Sequence, residues 1–414
     1  MSTASSRRAV LLGSGLAGAG LLAARPASAG GSTVDLWGEI AALRLTATSV
    51  PHATEGEARS LDLSGALLVA PYGALNWYFA NLALAWSVPS LPLAQVRTVV
   101  LPHLEAYLRN LEPDLTIKDV AFPTYEGGVA PTSWERPARD RDSDDSYAAT
   151  LLTPATRALL RLHASSRHRE LARDWWSTHR ATLTSIARTG LVEQIKADDL
   201  TATFRTDLPV PSFVPDRDTA SVGYLMDGCE VQRGLRDLAA FVRVMGSGGG
   251  GFADAADRVA RGVHRLWDRH PGAYRPSDAD LGFHDTPAAQ RSAFYPWVTA
   301  QVFPTLVDLP RERVRGAAAW AFVARHGSDW STWPNHARPG LPDPYPWALV
   351  ALAAARRART VRPHRPAEAR DLARQAARLA SSVADHLRGR RAAVTVNELG
   401  AALATRALLV SQRA

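Results

Sequence analysis

From residue 34 to residue 411 the apolar residues recur almost wholly at helical spacing, and the breaks between helical segments alternate between short and long. Pro, Gly, Asp and Ser punctuation marks about twelve helices, expected at 34–47, 65–86, 94–111, 143–164, 167–188, 221–245, 252–270, 288–307, 310–326, 343–359, 366–388 and 394–411. The connections after 65–86, 143–164, 221–245, 288–307 and 343–359 are only a few residues long. Those at 112–142, 189–220, 271–287 and 327–342 are long. Few folds satisfy that alternation. It describes helical hairpins whose short turns share one end and whose long loops share the other. The first helix of each pair is the more apolar, as Ala293–Leu306 against Pro310–Arg325 and Trp347–Ala355 against Glu368–Arg388 show. A helix apolar on most faces is buried, whereas one with a charged stripe lies outside. Six such pairs predict an all-α protein, an (α/α)6 toroid of six helical hairpins, with strand confined to short ribbons in the long loops. One domain is expected over residues 30–414.

Composition excludes several function classes. At 46% hydrophobic and 21% charged residues, the 414-residue chain is neither collagen-like nor low-complexity nor wholly disordered. Lys and Arg outnumber Asp and Glu by 48 to 40, and the only lysines are Lys118 and Lys196. The arginines are scattered among acids rather than gathered in blocks, so no nucleic-acid partner is expected. A single cysteine, Cys229, excludes an internal disulfide and any multi-cysteine zinc site. His284-Asp285 and His336 lack metal-ligand spacing, and no GxSxG, HExxH or EF-hand pattern occurs, so neither metal nor cofactor is expected.

The N-terminus reads as an address. Ser6-Arg7-Arg8-Ala9-Val10-Leu11-Leu12 is close to a twin-arginine export signal, an apolar stretch runs to about Ala24, and Ala27-Ser28-Ala29 offers small residues for cleavage before Gly30. Residues 1–29 are therefore expected to be a signal peptide and the protein to be secreted or held in the cell envelope. No stable membrane insertion is expected after cleavage, a retained anchor being the alternative. Gly13-Ser14-Gly15-Leu16-Ala17-Gly18 matches a dinucleotide-binding pattern, but no βαβ unit fits inside a signal segment.

Chemistry-bearing residues gather at the N-terminal ends of the expected inner helices. Asn76 and Trp77 lie in the first, Asp142, Asp144 and Asp145 open the second, and Asp227 and Glu230 lie near the start of the third. Tyr295, Trp297 and Gln301 are in the fourth, Tyr345 and Trp347 start the fifth, and Asn397 with Glu398 starts the sixth. One carboxylate at a helix start is explained as a cap, worth about 0.5–2 kcal/mol. Three in four residues exceed what a cap needs. Asp227 and Glu230 are three apart, hence on one helix face, amid Tyr224, Leu225, Met226 and Cys229. An apolar setting favours the neutral acid, which suits a proton donor. Paired carboxylates with aromatic rings form a carbohydrate site. The candidate catalytic residues are Asp144, Asp145, Asp227 and Glu230. The candidate substrate-binding residues are Asp142, Tyr147, Trp77, Tyr224, Tyr295, Trp297, Gln301, Trp333, Tyr345 and Trp347. Asp227 or Glu230 is expected as general acid and Asp144 or Asp145 as base, with inversion preferred over retention.

At these residues the chain resembles a known group. Asp142–Leu152 (DSDDSYAATLL), Asp199–Thr203 (DLTAT), Tyr224–Val231 (YLMDGCEV) with Gly234-Leu235, and Tyr295–Leu306 (YPWVTAQVFPTL) are similar to bacterial proteins of the six-hairpin glycosidase-like superfamily. The resemblance spans about residues 60–410 and implies an (α/α)6 toroid that acts on carbohydrate. The Asp-x-Asp at the second inner helix is similar to the acidic motif of the family-eight endoglucanases, whose early glutamate motif has no counterpart near Asn76. Asp142-Ser143-Asp144-Asp145 also resembles the DxDD motif of class II terpene cyclases, against which stand the export signal and the lack of Gln/Trp-rich repeats. A non-catalytic carbohydrate-binding or envelope-associated toroid is the other alternative.

Overall fold

A computed structural model describes residues 34–47, 49–51, 60–70, 72–126, 131, 133–135, 144–195, 223–246, 248–277, 297–310, 312–327, 330–332, 348–389 and 394–412. The signal segment expected at 1–29 lies outside them. Helices dominate: α1 (Leu36–Ala41), α2 (Trp77–Ser87), α3 (Leu101–Arg109), α4 (Asp144–Ala164), α5 (Arg169–Ser185), α6 (Leu225–Val244), α7 (Phe252–Arg265), α8 (Phe303–Leu306), α9 (Glu312–His326), α10 (Ala348–Val361), α11 (Pro366–Gly389) and α12 (Val396–Ser411). Beside isolated bridges such as Arg44–Leu67 and Val50–Leu61, the strands among the described residues form two ribbons. In one, β1 (Tyr72–Leu75) pairs antiparallel with β2 (Val120–Glu126), with a bulge between Tyr72 and Ala74; in the other, β3 (Trp267–Asp268) pairs with β4 (Ala273–Tyr274). The all-α class expected from the sequence holds. Two compact units are present, one of residues 1–83, 119–140 and 331–414, the other of 84–118 and 141–330.

In the first unit α10, α11 and α12 pack on one another, and α1 packs on α12. Every residue of α10 from Ala348 to Ala355 is buried, so the helix has no solvent face over two turns. Its hairpin partner α11 buries one stripe: Ala369, Leu372, Ala376, Leu379, Ala380, Val383, Ala384 and Leu387. Spacing of three and four residues puts these on one side, and the arginines between them remain in water. The second unit repeats the contrast. Buried residues run unbroken through α4 from Asp145 to Thr156, whereas α5 buries Ala172, Trp175, Trp176 and Leu183 at helical intervals. Likewise α6 is buried on most faces, and α7 buries Phe252, Ala255, Ala256, Val259, Ala260 and Val263. The hydroxyls of Thr150, Thr153 and Thr156 return hydrogen bonds to carbonyls four residues back, which makes a polar helix side tolerable inside.

Two glycines set how closely the buried helices approach. A Cβ on Gly234 of α6 would stand 2.7 Å from the carbonyl oxygen of Ala149 in α4. A Cβ on Gly400 of α12 would stand 2.5 Å from Cα of Ala83 in α2. In both places backbone lies against backbone, with no flexible side chain to yield. Ionic contacts fix the direction. Arg157 of α4 donates through Nε to Asp237 of α6 at 2.9 Å and through Nη1 to the Ala85 carbonyl near the end of α2 at 2.6 Å. Arg161, one turn on, donates to the Val88 carbonyl. Cations thus complete the carbonyls that the C-terminus of α2 leaves open. Asp237 is bound from its other side by Arg233 at 2.6 Å. The pairs Ala149–Gly234 and Arg157–Asp237 ascend together along the two helices, so α4 and α6 run parallel.

Three departures from expectation have local descriptions. The helix expected at 65–86 begins only at Trp77, because β1 occupies Tyr72–Leu75. The helix expected at 252–270 stops at Arg265, and the β3–β4 hairpin turns through Gly272, whose φ of +79° few other residues adopt. The helix expected at 94–111 forms, but as Leu93–Gln95, a π-helical turn over Val96–Val100, and then α3.

Gly234→Ala and Gly400→Ala should each destabilise the protein by about 1–3 kcal/mol through overpacking. Gly249→Ala, which meets nothing within 4 Å, should change stability by less than about 0.5 kcal/mol in the same urea titration. Equal effects at all three sites contradict the close contacts. A second expectation concerns His103 in α3, where burial lowers the imidazole pKa from 6.5 to about 3. The folded protein keeps this ring neutral while the unfolded chain protonates it near pH 6.5. Its stability contribution is therefore present above pH 6.5 and lost as pH falls towards 3. Between about pH 7 and pH 4.5, across the unfolded histidine's titration, the wild type should lose more stability than His103→Leu; parallel losses contradict the assignment.

Candidate functional site

Asp144 and Asp145 form the first residues of α4, where free N–H groups and the helix dipole favour negative charge. Asp145 is 1% exposed and its Oδ1 accepts the Ser146 N–H at 2.9 Å. Asp227 lies in the first turn of α6 and Glu230 at the start of the second, 2% and 3% exposed. The start of α6 is held by the continuation of β4: Leu225 N–H donates to the Pro276 carbonyl at 2.8 Å, and Tyr224 bridges Ser277.

Helix register sets Asp145 and Glu230 each one turn before the same interhelical contact. Ala149 and Gly234 mark the closest approach of α4 and α6. One turn towards the N-terminus on each helix, four residues back, stand Asp145 and Glu230. Residues four apart share a helix face. Both acids therefore lie on the N-terminal side of a contact too close to admit a side chain. Asp227, three residues before Glu230, continues that face by a further turn. The neighbours along α6 are Met226, Cys229 and Val231, all buried. Asp145 is thus a buried acid at a helix start, and Glu230 a buried acid one turn inside its helix.

The other described candidates do different work. Trp77 has no exposed surface, Trp297 is 1% exposed and packs with Ala273 and Phe322, and Tyr147 is 3% exposed. These rings are core, enclosed by packing rather than presented to a ligand. Gln301 corrects the expectation most clearly. Its Oε1 accepts the Tyr274 N–H at 2.8 Å and its Nε2 donates to the Tyr274 carbonyl at 2.7 Å, so the amide mimics a strand partner for β4. Tyr224, partly exposed, is the N-cap of α6 in extended conformation. Asp142, Tyr295, Trp333, Tyr345 and Trp347 lie outside the described residues.

The first unit carries a second polar group of its own. Asn76 Oδ1 accepts the Phe79 N–H at 2.9 Å, while its Nδ2 donates to Asp119 at 2.6 Å. Asp119 also accepts the Trp77 N–H at 3.1 Å, capping α2 from 42 residues away. Glu398 of α12 has no exposed surface and accepts the Ala348 N–H at the start of α10 at 2.9 Å. Thr395 caps α12 by accepting the Glu398 N–H at 3.4 Å. Sequence reasoning missed Asp119, since local capping patterns reach only three or four residues.

Among the described residues no helix is long and apolar enough to cross a membrane. No family model matches the chain, and no curated protein sequence matches it. Among solved structures it is similar to an uncharacterized conserved protein from Thermus thermophilus, at 16% identity over 84% of this chain and 96% of that one, with a TM-score of 0.45. It is also similar to the GH63 mannosylglycerate hydrolase from the same organism. In complex with glucose that enzyme gives 15% identity over 84% of this chain and 96% of that one, with a TM-score of 0.46. In complex with Tris it gives 15% identity over 86% and 97%, with a TM-score of 0.45.

Proposed function

We propose that the protein is a glycoside hydrolase acting on a polysaccharide or oligosaccharide, with Asp145 and Glu230 as its acid–base pair. The observation that supports this reading is the burial of both acids, each four residues before the Ala149–Gly234 contact of α4 and α6. Such a pair divides its roles. Asp145 stands at a helix N-terminus with an N–H on its oxygen, which stabilises the carboxylate and suits it to draw a proton from water. Glu230 stands deeper in α6 amid Met226, Cys229 and Val231, where desolvation favours the protonated acid that gives its proton to the leaving glycosidic oxygen. Water then adds at the anomeric carbon as the glycosidic bond breaks. A carboxyl separation in the roughly 6.5–9.5 Å range admits this water and favours inversion. Asp144 and Asp227 extend the acidic wall on either helix. The reading takes the hairpins as members of a six-hairpin (α/α)6 ring, made as an exported protein whose signal ends near Ala29.

The test is a mixed-polysaccharide digest with protein beginning at Gly30. Saturated reducing ends should appear with the anomeric configuration inverted, as followed by proton NMR. Asp145→Asn and Glu230→Gln should each lower kcat by about 10²–10⁴-fold while leaving the fold unchanged by circular dichroism. Saccharide binding without product points to a non-catalytic carbohydrate-binding protein. Full activity in both variants rejects the assigned pair. Replacing Arg7 and Arg8 with Lys should block export.

A further inference from the structure

The first turn of α12 holds a buried amide whose chemistry nothing around it satisfies. Asn397 has no exposed surface, and neither its Nδ2 nor its Oδ1 has a hydrogen-bond partner among the described residues. Its surroundings are otherwise well paired. Thr395 Oγ1 accepts the Glu398 N–H, Glu398 accepts the Ala348 N–H of α10, and the Val396 N–H donates to the Val69 carbonyl at 2.7 Å. Asn397 is the side chain here with both of its polar atoms unmatched. The large majority of buried polar groups in proteins have a partner, and burying an amide without one costs more than burying a leucine of similar size. An amide kept in such a place is complementary to something the chain does not supply.

Position says where that partner enters. Asn397 precedes Gly400 by three residues and so shares its face, the face pressed on Ala83 of α2. It therefore stands one turn towards the N-terminus from a contact with no room for a side chain. The start of α10 is tied to the same turn through Glu398. Chemistry narrows the partner's class. The carboxylate of Glu398, next in sequence, opposes an anion, and a lone uncharged amide is a poor cation ligand. An NH2 group that donates and a carbonyl oxygen that accepts match a neutral hydroxyl, or two adjacent hydroxyls bound through both atoms.

We propose that Asn397 is a receptor for a neutral hydroxyl group of a polyol or saccharide, at the adjoining N-termini of α10 and α12, with water occupying the position in the ligand-free protein. The choice of a saccharide as the source rests on the hydrolase reading. The amide site itself rests only on α10 and α12.

The experiment compares wild type, Asn397→Leu and Asn397→Ala by thermal unfolding with D-glucose, D-mannose, D-galactose and glycerol, and adds a crystal structure of wild type soaked in the sugar with the largest effect. Without sugar, Asn397→Leu should unfold at a higher temperature than wild type, because it removes an unsatisfied polar group. At least one probe should raise the midpoint of wild type and leave both variants unmoved. The crystal should show sugar oxygens within hydrogen-bond distance of Nδ2 and Oδ1. A sugar shift equal in all three proteins overturns the proposal, as does no shift in any. A water that no probe displaces leaves a structural solvent site only and also overturns it. Should Asn397→Leu fail to fold, Asn397→Ala decides the same comparison. Asn397-dependent sugar binding in a protein that cleaves nothing rejects the hydrolase reading alone. Cleavage by a protein whose sugar shift does not depend on Asn397 rejects this proposal alone.

Discussion

Backbone-to-backbone contact between buried helices is the constraint from which the candidate site follows. Gly234 lets α6 lie against Ala149 of α4, and Gly400 lets α12 lie against Ala83 of α2. A side chain at either glycine would push the helices apart and change every distance beyond the contact. In both cases a buried polar residue stands one turn nearer the N-terminus: Glu230 before Gly234, and Asn397 before Gly400. The same local device therefore occurs in both units. A glycine fixes the approach, and the next turn carries a buried polar side chain. The ionic network of Arg157, Asp237 and Arg233 holds the other end of the first contact, so α4 and α6 are restrained on both sides of their crossing.

Electrostatics explains why acids are tolerated there. A buried carboxylate is costly unless hydrogen-bonded or placed in a favourable field. The start of α4 supplies both to Asp145, whose Oδ1 accepts the Ser146 N–H. The same argument applies to Glu398, which joins its own helix start to that of α10. Charge thus collects at helix N-termini, while the bodies of the same helices are filled with Ala, Leu and Val. What sets Asp145 and Glu230 apart is the combination of burial and a register one turn before the same close helix contact.

The helical hairpins are legible in the sequence because their signals are local. Periodicity and Pro, Gly or Asp punctuation place α4, α11 and α12 within two residues, and the contrast of buried α10 with striped α11 follows from apolar content alone. The start of α2 is not legible. The run Ala66–Leu75 is apolar throughout, so periodicity does not separate strand from helix there, and Pro71 with Gly73 is the signal that carries more weight. Among site residues, Asp145, Asp227 and Glu230 are visible as acids out of place in apolar segments. The aromatic and amide candidates mislead for the opposite reason. A tryptophan at helical spacing reads alike whether it lines a cleft or fills a core, and only contacts show Trp77 and Trp297 enclosed. Gln301 and Asp119 act across 27 and 42 residues of sequence, a range no local pattern covers.

The central claim is that Asp145 and Glu230 work as a pair in opposite protonation states. The pH dependence of kcat/KM tests it most directly. The account predicts a bell-shaped profile, with the acidic limb lost from the residual activity of Asp145→Asn and the alkaline limb lost from that of Glu230→Gln. A profile whose two limbs survive unchanged in both variants would contradict it.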